Sequence, residues 1–178
     1  MAKKKVLVVG LGNMGMSHAL AYTRIPGYEV VGVCTRHIDQ VKIPDALKGA
    51  KQYKDFDTAL KESKPDVVSV NTLPDTHADF AIKAMKAGAH VFVEKPLALT
   101  VDSAQEVVDT ARRLKKKLVV GYILRVHPSW VKFIEIARKL GSPLVFRMNL
   151  NQQSNGETWA WHKRLMDSFP PIVDCGVH

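Results

Sequence analysis

The feature that most constrains this chain is the hexapeptide Gly10-Leu11-Gly12-Asn13-Met14-Gly15, which separates an apolar β-branched run at residues 6–9 from an amphipathic stretch at residues 14–24. A buried strand that turns directly into a helix gives each glycine its own task. The first permits the tight turn, the second lets the backbone approach a pyrophosphate, and the third allows the helix to pack closely on the strand. The opening N–H groups of such a helix have no intrahelical acceptor and carry the positive end of its dipole, so they favour an anion. In this strand–turn–helix context the glycines point to a dinucleotide site, where a lone glycine motif would signal only a turn.

Strand and helix patterns alternate downstream. Apolar, β-branched segments between turn signals predict strands at 29–34, 66–71, 90–93 and 118–122. Helices are expected around 57–61, over 76–87 and from residue 100 onward. Within 76–87, Ala78, Ala81, Ile82 and Met85 repeat at helical spacing, and Gly88 stands where a left-handed terminator belongs. In the next helix Thr100 is the N-cap, and Ala104, Val107, Val108, Ala111 and Leu114 form the buried stripe. Parallel pairing requires crossover connections, which helices of this length supply. The expected fold class is therefore α/β, a doubly wound parallel sheet of the Rossmann type over residues 1–122. Residues 123–178 read differently. A helix at 129–140 carries Trp130, Phe133, Ile134 and Ala137 on one face, and a strand follows at 144–150. A lone long strand exposes a row of open backbone groups, so the chain is expected to be the front half of a longer polypeptide.

Composition excludes several classes. The 178 residues are 46% hydrophobic and 24% charged, within the range of globular proteins. No apolar run approaches the roughly 20 residues that cross a bilayer. The basic start Lys3-Lys4-Lys5 is not followed by a small-residue cleavage pattern. A cytoplasmic protein without membrane contact is expected. Cys34 and Cys175 lie far apart, which suggests neither a disulfide framework nor a paired-cysteine zinc site. The net charge of +9 raises the question of nucleic acid. However, Arg112, Arg113, Lys115, Lys116 and Lys117 close a predicted helix, where cations suit the dipole, and no aromatic platform interleaves them. No nucleic-acid partner is expected. A metal reading through His162, Asp174, Cys175 and His178 lacks a spacing that establishes a closed ligand set, so no metal is expected either.

After the second strand, an acidic residue about 20 positions beyond the glycines would read a free ribose 2′-hydroxyl. Thr35 and Arg36 occupy that place. An arginine pairs with a 2′-phosphate where a carboxylate repels it, so the expectation leans to NADP. The alternative is NAD bound without an acidic contact, with Arg36 a solvated loop residue.

Five stretches carry a resemblance, the glycine motif among them: Gly10 to Gly15, Thr72-Leu73-Pro74-Asp75-Thr76-His77, His90 to Leu97 with Glu94-Lys95-Pro96 in it, Gly121-Tyr122 with Arg125 and Pro128, and Asp174-x-Gly176-x-His178. Together, in this order and spacing, they resemble the Gfo/Idh/MocA oxidoreductases, which include glucose-fructose oxidoreductases and inositol dehydrogenases. The resemblance implies a Rossmann domain followed by an α+β substrate domain, of which residues 123–178 are the beginning, and a homo-oligomer in the full-length protein. It implies cofactor contacts at Gly10, Gly12, Asn13, Met14, Gly15, Thr35, Arg36, Thr72, Leu73, Pro74, His77, Glu94, Lys95 and Pro96, and a cis bond at Lys95-Pro96. Catalytic roles fall on Lys95, Asp174 and His178. Substrate contacts fall on those three; by residue type alone Arg125, Trp161 and His162 also suit a polar, aromatic sugar pocket, with core packing an equal reading of the tryptophan.

The chemistry suits these residue types. Oxidising a carbinol requires loss of the hydroxyl proton as hydride leaves carbon, so an imidazole such as His178 serves as base. Asp174, four residues earlier, shares its helical face and orients the ring or binds a second hydroxyl. The Lys95 ammonium stabilises developing alkoxide. Read without the resemblance, Lys95 is equally an ion-pair partner of Glu94, and Asp174 with His178 a solvated helix contact. The expected substrate is a sugar, sugar acid or cyclitol, although Ser168, Phe169, Pro170 and Pro171 stand where the family tends to place glycines. A non-catalytic NADP-binding regulatory or redox-sensing protein is the alternative reading.

Overall fold

The structure, a computed structural model, describes residues 2–147, 149, 156, 160 and 163. Among them six strands form one parallel sheet: β1 (Lys4–Val9), β2 (Tyr28–Cys34), β3 (Lys51–Tyr53), β4 (Val67–Val70), β5 (His90–Val93) and β6 (Leu118–Val120). Their spatial order is β3-β2-β1-β4-β5-β6. The helices are α1 (Asn13–Arg24), α2 (Phe56–Ser63), α3 (His77–Lys86), α4 (Val101–Arg113) and α5 (Pro128–Ala137). The chain divides into two compact units, Met1–Gly121 and Tyr122–His178. No helix among the described residues is long and apolar enough to cross a membrane.

The order reverses beside β1, because β2 and β3 grow to one side and β4, β5 and β6 to the other. This doubly wound arrangement covers the sheet on both faces, and β1 shows how the sequence encodes it. Successive side chains of a strand point to opposite faces. Val6 and Val8 enter one core with Ala19 of α1, Val33, Ile38 and Leu47. Leu7 and Val9 enter the other with residues of α2, α3 and α4, among them Leu60, Ala81, Met85, Val107 and Ala111. A strand sandwiched this way must be apolar at every position. All four of these β1 residues are at most 2% exposed.

Local signals end the elements where the sequence indicates. Thr100 accepts a hydrogen bond from the Ser103 N–H at 3.2 Å and starts α4. Gly88, with φ at +99°, terminates α3 in the left-handed region. The expected strands and helices of the first unit are present to within a few residues. The short β3 strand was not anticipated, since only Tyr53 of its three residues is buried and the segment carries no alternating pattern. In the second unit the outcome differs. The expected strand at 144–150 is absent from its described residues, Leu144, Val145, Phe146, Arg147 and Asn149. A strand exists only through hydrogen bonds to a neighbour, and the sheet's pairings involve no residue of this segment. The helix, predicted to Leu140, ends at Ala137, and its apolar stripe is not buried, Phe133 and Ile134 being 45% and 43% exposed.

Candidate functional site

Each motif glycine has a distinct geometry. Gly10 has φ at +82°, and a Cβ there would lie 2.4 Å from the Asn71 carbonyl oxygen, so only glycine lets β1 turn beside β4. A Cβ on Gly15 would lie 1.7 Å from the Gly10 carbonyl oxygen, because α1 packs directly on the turn. At Gly12 a Cβ would meet nothing within 4 Å. Gly12 is also the N-cap of α1 and supplies no side chain to cap it. The first-turn N–H groups of Asn13, Met14 and Gly15 therefore have neither an intrahelical nor a side-chain acceptor, and Asn13 and Met14 are exposed. A pyrophosphate fits this cradle: open space over Gly12, unpaired donors and the positive end of a helix dipole.

The cradle lies at the carboxyl end of β1, beside the point where the strand order reverses, which is where open parallel sheets bind ligands. The ends of β4 and β5 deliver the other expected residues to this same edge. Beyond β4, Thr72 and Pro74 are half-buried and Leu73 is exposed. The turn is held by the Thr76 hydroxyl, which hydrogen-bonds the Thr72 hydroxyl at 2.7 Å and the Leu73 carbonyl at 2.8 Å. His77, at the start of α3, is buried, with Nδ1 2.7 Å from the Pro96 carbonyl oxygen and Nε2 3.0 Å from the Thr72 carbonyl oxygen.

Beyond β5 comes Glu94-Lys95-Pro96, with a cis peptide bond between Lys95 and Pro96. Glu94 is buried, and its carboxylate is engaged on both oxygens. Oε1 is 2.8 Å from His18 Nε2, and Oε2 accepts the Lys95 N–H at 3.1 Å. Burial alone would raise the Glu94 pKa. The hydrogen bonds from His18 and the Lys95 amide, and the charges of His18 and Lys95, outweigh burial and hold the carboxyl below its ordinary value. Lys95 itself is half-buried.

The remaining expected residues are placed less tightly. Thr35 and Arg36 follow β2 at the same edge of the sheet. The Thr35 N–H bonds the Tyr53 carbonyl at 3.1 Å, and Arg36 is exposed. Arg125, in the second unit, lays its guanidinium over the Tyr122 ring, 4.8 Å from the centroid. Trp161, His162, Asp174, Cys175 and His178 lie outside the described residues. Among the described residues no group of three or more His, Cys, Asp or Glu could hold a metal ion. Cys34 is buried, and its thiol is pushed up to about 12 by burial and then by Asp55, a state unsuited to nucleophilic attack.

Sequence reasoning missed His18 and Asn71, and named Gly121 in a motif without giving it a role. Asn71, almost fully buried, donates to the Ser69 carbonyl at 3.0 Å and packs its backbone under Gly10. A Cβ on Gly121 would meet the Glu94 carboxylate at 3.2 Å. His18, a polar residue three positions after Gly15 on a helix that faces the sheet, was the available signal. At the opposite, amino end of the sheet a cavity of about 820 Å³ is lined by Lys4, Lys61, Lys64, Lys83, Lys86 and Lys116. Asp57 and Asp66 line it too: Lys83 pairs with Asp57, Lys4 with Asp66, and Lys116 donates to the Gly88 carbonyl just beyond α3.

Comparison with protein-family models matches residues 4–122 to the oxidoreductase family with an NAD-binding Rossmann fold. Among curated proteins, inositol 2-dehydrogenase of Salmonella paratyphi B is 32% identical over 148 residues, covering 79% of this chain and 44% of the relative. D-glucoside 3-dehydrogenase of Escherichia coli K12 is 34% identical over 179 residues, covering 98% of this chain and 51% of the relative. Among solved structures, that of GenD2 from gentamicin A biosynthesis in complex with NAD is 30% identical, with a TM-score of 0.70, covering 77% of this chain and 39% of the other. The chain thus spans about half the length of the curated relatives it matches.

Proposed function

The chain belongs to the Gfo/Idh/MocA oxidoreductase family, with its NAD-binding Rossmann fold, and from that premise we propose that it serves hydride transfer between a nicotinamide cofactor and a sugar, sugar-acid or cyclitol hydroxyl. The observation that carries the reading is the meeting, at one edge of the sheet, of an uncapped helix amino terminus and the Glu94-Lys95-Pro96 turn. Relatives named as inositol and glucoside dehydrogenases support the substrate class.

In this reading Gly12, Asn13, Met14 and Gly15 hold the pyrophosphate, and Thr72, Leu73 and Pro74 line the path toward the nicotinamide. When bound, the nicotinamide supplies the acceptor or donor of hydride. The Lys95 ammonium sits by the reacting oxygen and lowers the cost of alkoxide character. His178 removes the hydroxyl proton and Asp174 orients that imidazole, assignments that rest on the family resemblance. Arg125, Trp161 and His162 complete the substrate contacts, and a polyol or sugar is the small-molecule partner of a cytoplasmic homo-oligomer.

The cofactor form is proposed to be NADP. Arg36 has no hydrogen-bond or ion-pair partner among the described residues and stands after β2, where the adenosine ribose of a dinucleotide is read. Fluorescence titration of the chain with NADPH and NADH tests this, with Arg36→Asp as control. NADPH should bind about tenfold more tightly, and the substitution should abolish the preference. Equal affinities, unchanged by the substitution, would remove the NADP assignment. Binding of neither would remove the dinucleotide reading itself.

A further inference from the structure

We propose that His18 and His77 are positioning residues that clamp the Glu94-Lys95-Pro96 turn from its two sides and thereby set the presentation of the Lys95 ammonium. This rests on the reading of Lys95 as the group that meets the reacting oxygen.

The clamp closes around Lys95 on the backbone. On its amino side, the Lys95 N–H donates to Glu94 Oε2 at 3.1 Å, and the other oxygen of the same carboxylate is 2.8 Å from His18 Nε2. His18 belongs to α1, the helix that begins at the glycine turn, and its ring packs against Phe92 of β5 in a tilted arrangement, centroids 4.8 Å apart. Gly121 closes the back of the carboxylate, since a Cβ there would press on it at 3.2 Å. On the carboxyl side, the Pro96 carbonyl oxygen is 2.7 Å from His77 Nδ1, and the opposite ring nitrogen is 3.0 Å from the Thr72 carbonyl oxygen. Both partners of His77 are acceptors, so the ring is the donor in either tautomer. One ring proton serves one carbonyl, and two serve both.

The turn is therefore tied to α1 through one imidazole, and to α3 and the end of β4 through the other. Glu94 is 7% and His77 1% exposed, so water competes little with these bonds. A buried carboxylate, or the Pro96 carbonyl, left without its donor would be costly, which makes the tethers stiff. A long, flexible lysine gains a defined position mainly from a fixed backbone at its root. The pyrophosphate cradle, the Thr72 turn and the lysine thus move as one frame, and neither imidazole need touch a substrate.

The test replaces hydrogen bonding while keeping ring packing. His18→Phe and His77→Phe are made in the whole chain, with His18→Gln and His77→Gln as variants that retain a donor and also stand in should a Phe variant fold poorly. Trace acetylation across pH, read residue by residue by mass spectrometry, reports the reactivity of each lysine. In the Phe variants Lys95 should change its labelling rate near neutral pH by about threefold or more, because the backbone at its root is no longer held. Lys61 and Lys86, remote at the amino end of the sheet, should label as in wild type, and the Gln variants should restore the Lys95 profile at least in part. An unchanged Lys95 profile in folded variants of both histidines overturns the proposal, as does an equal change at all lysines. NADPH titration of the wild-type chain is run separately. Failure to bind would sink the dinucleotide reading without altering the labelling result.

Discussion

Gly12 and Gly15 stand three residues apart in one motif, yet the structure separates their roles. Adding a methyl at Gly15 drives it into the Gly10 carbonyl, a backbone atom that cannot step aside without opening the turn. Gly15→Ala should cost about 3 kcal/mol, read by urea unfolding, with cofactor binding lost as a secondary effect. Gly12→Ala meets open space, so stability should stay within about 0.5 kcal/mol of wild type. Its dinucleotide affinity should nonetheless fall about tenfold, because the methyl occupies the approach to the helix amino terminus. If both variants lost stability equally, the division of roles would be wrong. Glu94 gives a second prediction. Its carboxyl is held below the ordinary value in the folded chain, so its contribution is full above the ordinary carboxylate range and is lost as pH falls through the depressed folded value. The stability difference between wild type and Glu94→Gln, measured by urea unfolding at several pH values, should therefore shrink on acidification. A difference that stayed constant from neutral to acid pH would contradict this.

At the scale of elements, the helices owe their positions to different devices. Helix α4 is fixed at its start by a side chain, Thr100, and along its length by Val107 and Ala111 packed on the sheet. Removing the cap by Thr100→Ala should cost about 1 kcal/mol in thermal or urea unfolding, and Thr100→Ser should recover most of it. Helix α1 begins instead with a bare glycine. The contrast is functional, since a side-chain cap would consume the donors that an anion needs. The strands β1, β4 and β5 then bring three separate turns to one edge, each hydrogen-bonded to the next. The Asn71 N–H bonds the Val9 carbonyl, and the Glu94 N–H bonds the Val70 carbonyl. A site assembled from strand ends inherits the rigidity of the sheet.

Considered as a whole, the first unit carries two cores separated by one sheet, and its stability should respond to truncation at the centre far more than at the edge. Leu7, fully buried in β1, should cost about 3 kcal/mol when replaced by alanine. Val119, 55% exposed in the edge strand β6, should cost less than about 1 kcal/mol. Comparable losses at the two positions would mean that β6 is covered in solution. Much of this unit was legible in the sequence. Continuous apolar runs marked strands buried on both faces, helical spacing at Ala78, Ala81, Ile82 and Met85 marked α3, and Gly88 and Thr100 marked boundaries, because these are short-range requirements of backbone geometry. The three-residue β3 was missed, and the strand expected at 144–150 is not formed by its described residues, for one reason: strand formation depends on a partner that local pattern does not name.

The sequence by itself determined the chemistry available: a glycine turn between a strand and a helix, an arginine after the second strand, and a lysine flanked by glutamate and proline. Only the tertiary structure decided that His18 grips Glu94 across 76 residues of chain and that His77 reaches Pro96 across 19. It also decided that the helix at 128–137 leaves its apolar stripe uncovered among the described residues. The physical reason is range. Torsional preference, capping and side-chain periodicity act within a few residues and are written in local order, whereas buried hydrogen bonds and packing join groups that become neighbours only once the strands have taken their places in the sheet.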